Sequence, residues 1–245
     1  MGKFFEHIKK DWYRYLLETF VVIVSILVAL SLENRNDQRK DRLEEIVILK
    51  SLHSEFGESI ERLDSIMIMQ KRTLSQSREL LTAFENNNEV DPDSLSQMIY
   101  AGALGWHRYE PITGAYDAII GSGKLDLIQN IILRKTISEY YADIKPEFED
   151  QTISMDLISM LIKELGKDLL PLRGKDLFGQ ELIGIEHFKG DLDIYVESVM
   201  SNEEFFGLLY SKTVFESYRL YYYMFWRERV SDLKSQVGNE IEYLE

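Results

Sequence analysis

From Leu16 to Leu32 the chain reads LLETFVVIVSILVALSL, seventeen residues in which Glu18 is the only ionisable side chain. As an α-helix rising about 1.5 Å per residue this run covers ~25 Å, near the lower limit for crossing the hydrocarbon layer of a bilayer. Tyr13 and Tyr15 lengthen it, and with Trp12 they form an aromatic belt of interface anchors on one side. Two other fates are open to such a run. A cleaved leader would use Ala29-Leu30-Ser31 as a weak small-x-small site, yet no helix breaker precedes it. A buried core helix would carry a polar face, which this stretch lacks. The expectation is a transmembrane helix over residues 15–33, preceded by a short basic tail, 1–14. Lys3, Lys9, Lys10 and Arg14 lie before the span and Arg35, Arg39, Lys40 and Arg42 after it. That tie leaves orientation to a weaker consideration: long acidic domains translocate largely regardless of charge. The tail is therefore expected inside and residues 34–245 outside.

Beyond Asn34 the pattern is helical. Leu43, Ile46, Leu49, Leu52, Phe56, Ile60, Leu63, Met67, Leu74 and Leu81 recur every three, four or seven residues, the spacing of one helix face. Glu44, Glu45, Lys50, Glu55, Glu58, Glu61 and Arg62 are expected on the opposite, solvated side. One helix should run from the membrane to about Phe84 and stop at Asn86-Asn87-Asn88. The stripe lies nearer 3.6 than 3.5 residues per turn, so packing within the domain competes with a coiled coil between chains. Asp91-Pro92-Asp93 is a helix start, with an aspartate cap and proline in the first turn. A short helix to about Leu104 should follow, then helices near 114–120, 126–144 and 148–169. Gly121-Ser122-Gly123 ends the first of these three, and Lys145-Pro146 breaks the second. Residues 170–192 hold Pro171, Gly174, Gly179, Gly184 and Gly190, and that stretch leaves room for a short strand pair.

A last long helix is predicted over 202–244, with Glu203 and Glu204 in its first turn. Its expected stripe is Phe206, Tyr210, Val214, Tyr218, Tyr221, Phe225, Val230, Leu233, Val237, Ile241 and Leu244. Running antiparallel to the first long helix (34–85), it completes a stalk capped by residues 91–192. The fold class expected is all-α: one transmembrane helix and an elongated helical bundle.

Composition removes whole classes of chemistry. Lys plus Arg number 28 against 42 Asp plus Glu, a net charge of -14, which argues against a nucleic-acid partner. There is no cysteine, hence no disulfide, thiolate metal site or cysteine nucleophile. His7, His53, His107 and His187 stand far apart, without metal-ligand spacing. Gly121-Ser122-Gly123-Lys124 fails as a phosphate loop, because position 118 is Ala and Leu125 follows the lysine. No catalytic, cofactor or metal constellation emerges, and no enzyme is expected. Within the span, Glu18 is a costly carboxylate of the kind that marks ion pathways or helix contacts, although it sits close enough to the interface to snorkel or protonate. Ser25, seven residues on, has a hydroxyl able to bond a neighbouring helix. Tyr218, Tyr221, Tyr222, Tyr223, Phe225 and Trp226, with Arg219 and Arg227, read either as a ligand platform or as core; helical spacing favours core.

Three stretches carry a resemblance: Tyr15-Leu16-Leu17-Glu18, Ala29-Leu30 with Glu33-Asn34-Arg35-Asn36-Asp37, and Ala115-Tyr116-Asp117-Ala118-Ile119-Ile120-Gly121-Ser122-Gly123-Lys124-Leu125-Asp126-Leu127-Ile128. Leu133-Arg134 and Tyr140-Tyr141 follow in the same order. Together these resemble an uncharacterised family of bacterial single-pass membrane proteins. The departure is at the exit from the span, where the family has Gln and Trp and this chain has Ser31-Leu32-Glu33. The resemblance implies a bacterial inner-membrane location and a helical fold, and it assigns no activity. The functional expectation is a membrane-anchored scaffold or sensor, partnered by the bilayer and by a second copy or a membrane protein. An alternative is an accessory, stator-like subunit of an ion-driven complex that uses Glu18.

Overall fold

The computed structural model describes residues 2–147, 152–166 and 192–245. Every regular element among them is helical: α1 (Gly2–Glu85), α2 (Pro92–Gln97), a π-helical turn (Met98–Ala103), α3 (Gly114–Gly121), a 3-10 turn (Leu125–Leu127), α4 (Ile131–Glu147), α5 (Thr152–Leu165), α6 (Leu192–Met200) and α7 (Glu203–Leu244). The expected all-α class is the class observed.

α1 contains no proline, and its 84 residues extend for ~125 Å without a break. It stops where the asparagines were expected to stop it. Asn87 adopts a left-handed φ of 51°, and the amides of Asn87 and Asn88 turn back to the carbonyls of Phe84 and Ala83 at 3.1 and 2.9 Å. That is a Schellman closure, with asparagine in the place glycine usually takes. Asp91 caps α2 by accepting from Ser94 N at 3.0 Å, with Pro92 in the first helical position. Asn202 caps α7 by accepting from Phe205 N at 2.9 Å.

α7 lies antiparallel to α1. Phe84 stacks on Phe206 with ring centroids 3.8 Å apart, Asp64 pairs with Arg227 at 2.7 Å, and Arg42 donates to the Leu244 carbonyl at 2.8 Å. Lys50 and Glu245 close the end nearest the apolar segment at 2.6 Å. Two hydrophobic cores fill this stalk. The proximal core joins Leu49, Leu52, Phe56 and Leu63 of α1 to Ile137 and Tyr140 of α4 and Trp226, Val230 and Leu233 of α7. The distal core joins Leu80 to Leu95, Ile99, Leu161, Phe205 and Leu209. Between them lies a buried polar layer: Gln70, Thr73 and Ser77 from α1, and Lys212, Thr213 and Glu216 from α7.

The apolar side chains between Leu16 and Leu32 are exposed, and so are the polar positions Glu33 to Asp41, which make a bare single-helix neck before the first contact with α7.

Several expectations need correcting. Leu43 is exposed, whereas Glu45 and Glu55, placed on the solvated side from their charge, are buried. Tyr210, Val214, Tyr218, Tyr221 and Phe225 do not line the core; over that stretch α7 is rotated, and Leu209, Lys212, Glu216 and Tyr223 point inward instead. α4 begins later than expected, because residues 125–127 form a 3-10 turn first, and it passes through Lys145-Pro146 to Glu147, the last described residue before 152. The break expected at Lys145-Pro146 therefore does not occur there, since both residues are helical. α6 was not anticipated. The strand pair considered within 170–192 falls almost wholly outside the described residues.

Candidate functional site

Two buried carboxylates organise the central part of the chain. Glu55 Oε2 accepts from the backbone N–H of Ala115 at 2.5 Å, at the start of α3, and its Oε1 accepts from the Tyr141 hydroxyl. Tyr116 stacks on Tyr141 with centroids 4.0 Å apart, and Phe56 stacks on Tyr141 at 6.0 Å. Burial and the Glu55 carboxylate push the Tyr141 phenol well above its usual pKa. About three turns nearer the apolar segment, Glu45 Oε1 accepts from Gln129 N at 2.7 Å, and Lys124 pairs with Glu44. Desolvation raises the Glu45 pKa, with the Gln129 N–H opposing. The stretch 115–141 is therefore a strap, bound to α1 through backbone amides held by carboxylates. A carboxylate accepting from a helix N-terminal amide also meets the positive end of the helix dipole. These contacts fasten the strap, using both oxygens of Glu55 and one of Glu45.

The polar layer is the second assembly. Lys212 is fully buried, and its ammonium donates to the carbonyls of Gly105 at 2.7 Å and Gly102 at 3.3 Å, at the end of the π-helical turn. Glu216 lies 3.8 Å from Lys212 and 3.3 Å from Arg219, and it accepts from Gln70 Nε2 at 2.6 Å. Arg219 donates to Ser154 Oγ of α5 at 2.6 Å. Burial lowers the Lys212 pKa to about 8, against the pull of Glu216 and with the push of Arg219. Burial also holds His107 below its usual range. The π-helical turn reaches this layer because Gly102 packs on the α1 backbone: a Cβ there would lie 2.7 Å from Ser77 N.

The outward side of α7 is the third feature. Between Gly207 and Phe225 the only ionisable side chains apart from tyrosine are Lys212, Glu216 and Arg219, and these three are turned inward, the most open of them 13% exposed. The outward positions are uncharged. Tyr210, Tyr218 and Tyr221 are 61%, 63% and 65% exposed, and Tyr222, Met224 and Phe225 are also exposed. Val214 and Phe215 fill the gap between Tyr210 and Tyr218 on the same outward side. The helix is thus inverted here, with charges inside and aromatic rings outside. An apolar stripe of this length facing solvent is the kind of surface that contact sites carry.

Of the aromatic cluster read as core, only Tyr223 and Trp226 are buried; Tyr218, Tyr221, Tyr222 and Phe225 belong to the outward face. Tyr223 Oη donates to the His107 carbonyl at 2.9 Å. Glu18 and Ser25 both lie exposed on the apolar segment, and Ser25 Oγ donates to its own helix at Val21 O, 2.7 Å away. The side chains of Trp12, Tyr13 and Tyr15 lie outside the described residues. Gly121 ends α3 and Gly123 takes a φ of 68°, the helix stop expected of that glycine pair. Among the described residues no group of three or more His, Asp or Glu is placed to hold a metal ion.

An elongated helical bundle carrying one segment long and apolar enough to cross a membrane is the class of protein these elements define. The family of unknown function DUF6090 matches residues 18–151, and the chain belongs to that family. The matched residues run from within the apolar segment through α1, the strap and α4, and they end before α7 begins. No protein of curated function and no solved structure matches the chain.

Proposed function

We propose that this chain is a non-catalytic, membrane-anchored docking protein, in which α1 ties a helical stalk to the bacterial inner membrane and the outward face of α7 carries the contact. The single observation behind this is the inversion of α7 between Gly207 and Phe225, where uncharged aromatic positions face water while Lys212 and Glu216 are buried and Arg219 is turned inward beside them. Burying two charged groups and turning a third inward costs several kcal/mol before their mutual pairing offsets it. A helix free to choose its orientation on hydrophobic grounds alone would turn the other way. The membrane assignment rests on the wholly exposed run from Leu16 to Leu32, which finds an apolar solvent only in lipid. The short basic tail and long acidic domain favour the outer side for residues 34–245.

The test is capture from native membranes by the full-length tagged chain after crosslinking. Tyr218→Ser combined with Tyr221→Ser should reduce the captured material at least tenfold while leaving helical content and membrane fractionation unchanged. Unchanged capture by that variant would remove α7 as the working face.

A further inference from the structure

Resting on that reading of α7, we propose that the face is occupied by α7 of a second copy, held parallel by two anchors in one bilayer. The chemistry of the face selects its partner. The chain carries a net charge of -14, yet the outward α7 positions of the face carry none, with Glu203, Glu204 and Glu228 exposed only beyond its two ends. An ionic partner finds nothing on α7 itself to pair with between those ends, where Arg78 of α1, donating to Ser217 Oγ at 3.4 Å, borders the aromatic rings. A surface of aromatic rings with hydroxyls at their tips is matched by another of the same kind, because tyrosine offers an apolar ring and a hydrogen-bonding group together. The face itself is such a surface.

Size and position agree. The outward side chains from Tyr210 to Phe225, offering on the order of 100 Å² each, supply ~700 Å² per protomer, close to the ~800 Å² per partner of a specific interface. Height is set by the fold. Gln70 of α1 touches Glu216 at the middle of the face, and the helix from Leu32 to Gln70 spans roughly 55 Å. That distance puts the face out of reach of lipid headgroups. It also gives every anchored copy its face at one level above the membrane, so a two-fold pair needs no search for register and each central residue meets its own counterpart. Confinement to one membrane raises the effective concentration of the second copy in the same way that a linker does.

The absence of cysteine makes the test clean. Tyr218→Cys in the full-length chain, oxidised with copper-phenanthroline in native membranes, should give a covalent species of twice 28.8 kDa. Lys135→Cys, exposed on α4, controls for random collision and should stay monomeric. Equal yields from the two positions would overturn the proposal. As a second arm that keeps an aromatic ring in place, p-benzoyl-phenylalanine at position 222 is irradiated in the same membranes. Capture of the chain by itself supports the pairing. Capture of a different polypeptide, with no disulfide-linked dimer from the Tyr218→Cys chain, overturns the second copy and leaves the docking face standing. A product of monomer mass alone overturns both.

Discussion

At the scale of single residues, the acceptors matter most. Glu55 serves a backbone amide and a buried phenol at once, so Glu55→Ala strands both and should cost about 2–4 kcal/mol, the range for leaving buried hydrogen-bonding groups unpaired. Glu55→Gln retains an acceptor oxygen and should recover a good part of that loss; chemical denaturation in detergent followed by helical circular dichroism reads both. Lys212 gives a pH signature of defined sign. Its folded pKa, about 8, lies below the ordinary value of 10.5. Between those values the unfolded chain holds more protons than the folded one, so this group's contribution to stability rises with pH through that window and its burial penalty is complete below it. Lys212→Met removes the penalty. The wild-type melting temperature, measured against that of Lys212→Met, should therefore climb from pH 8 to about pH 10. Above pH 10 the buried phenols Tyr140, Tyr141 and Tyr223, all raised by burial, favour the neutral form, and deprotonation in the unfolded chain destabilises both proteins. A melting-temperature difference flat across this range would remove the buried ammonium.

At the scale of elements, the glycine at the end of the π-helical turn is the sharpest test. Gly102→Ala drives a methyl group into the α1 backbone at Ser77, and a site with no flexible side chain to yield should lose about 1–3 kcal/mol. Hydrogen exchange should then quicken in residues 98–105 and at Lys212 before it does so in the proximal core. The long helices were legible from sequence, because forty or more residues without proline and with apolar positions every third or fourth residue have few other solutions. The helix stops were legible too, since Asn86-Asn87-Asn88 and Gly121-Ser122-Gly123 act through their own backbones. Orientation of α7 was not. Lys212, Glu216 and Arg219 at spacings of four and three look like a solvated ion-pair row, and the backbone carbonyls of Gly102 and Gly105 that hold Lys212 have no side-chain signature. Glu45 and Glu55 escaped for the same reason: their partners are amides of Gln129 and Ala115, which any sequence supplies. α6 is nine residues long, too short for periodicity to separate it from the irregular stretch before it.

At the scale of the whole molecule, the chain joins a lipid-seeking end to a water-seeking one through a single bare helix. Full-length protein should sediment with membranes through alkaline carbonate washes and leave them only in detergent; recovery in the wash would exclude a spanning anchor. A phosphatase fused after Glu245 should be active if the stalk stands outside, and inactivity would reverse the orientation. The unbroken course of α1 has a mechanical consequence as well. No turn separates the apolar segment from the stalk, so with the segment in a bilayer, as proposed, its angle there is also the angle of everything above it. The helix from Leu32 to Glu85 is roughly 80 Å long. A tilt of about 10°, well within the range that bilayer thickness imposes, would sweep its far tip sideways by ~14 Å. A thinner or thicker membrane would thereby reach the distal core as a displacement, by leverage alone.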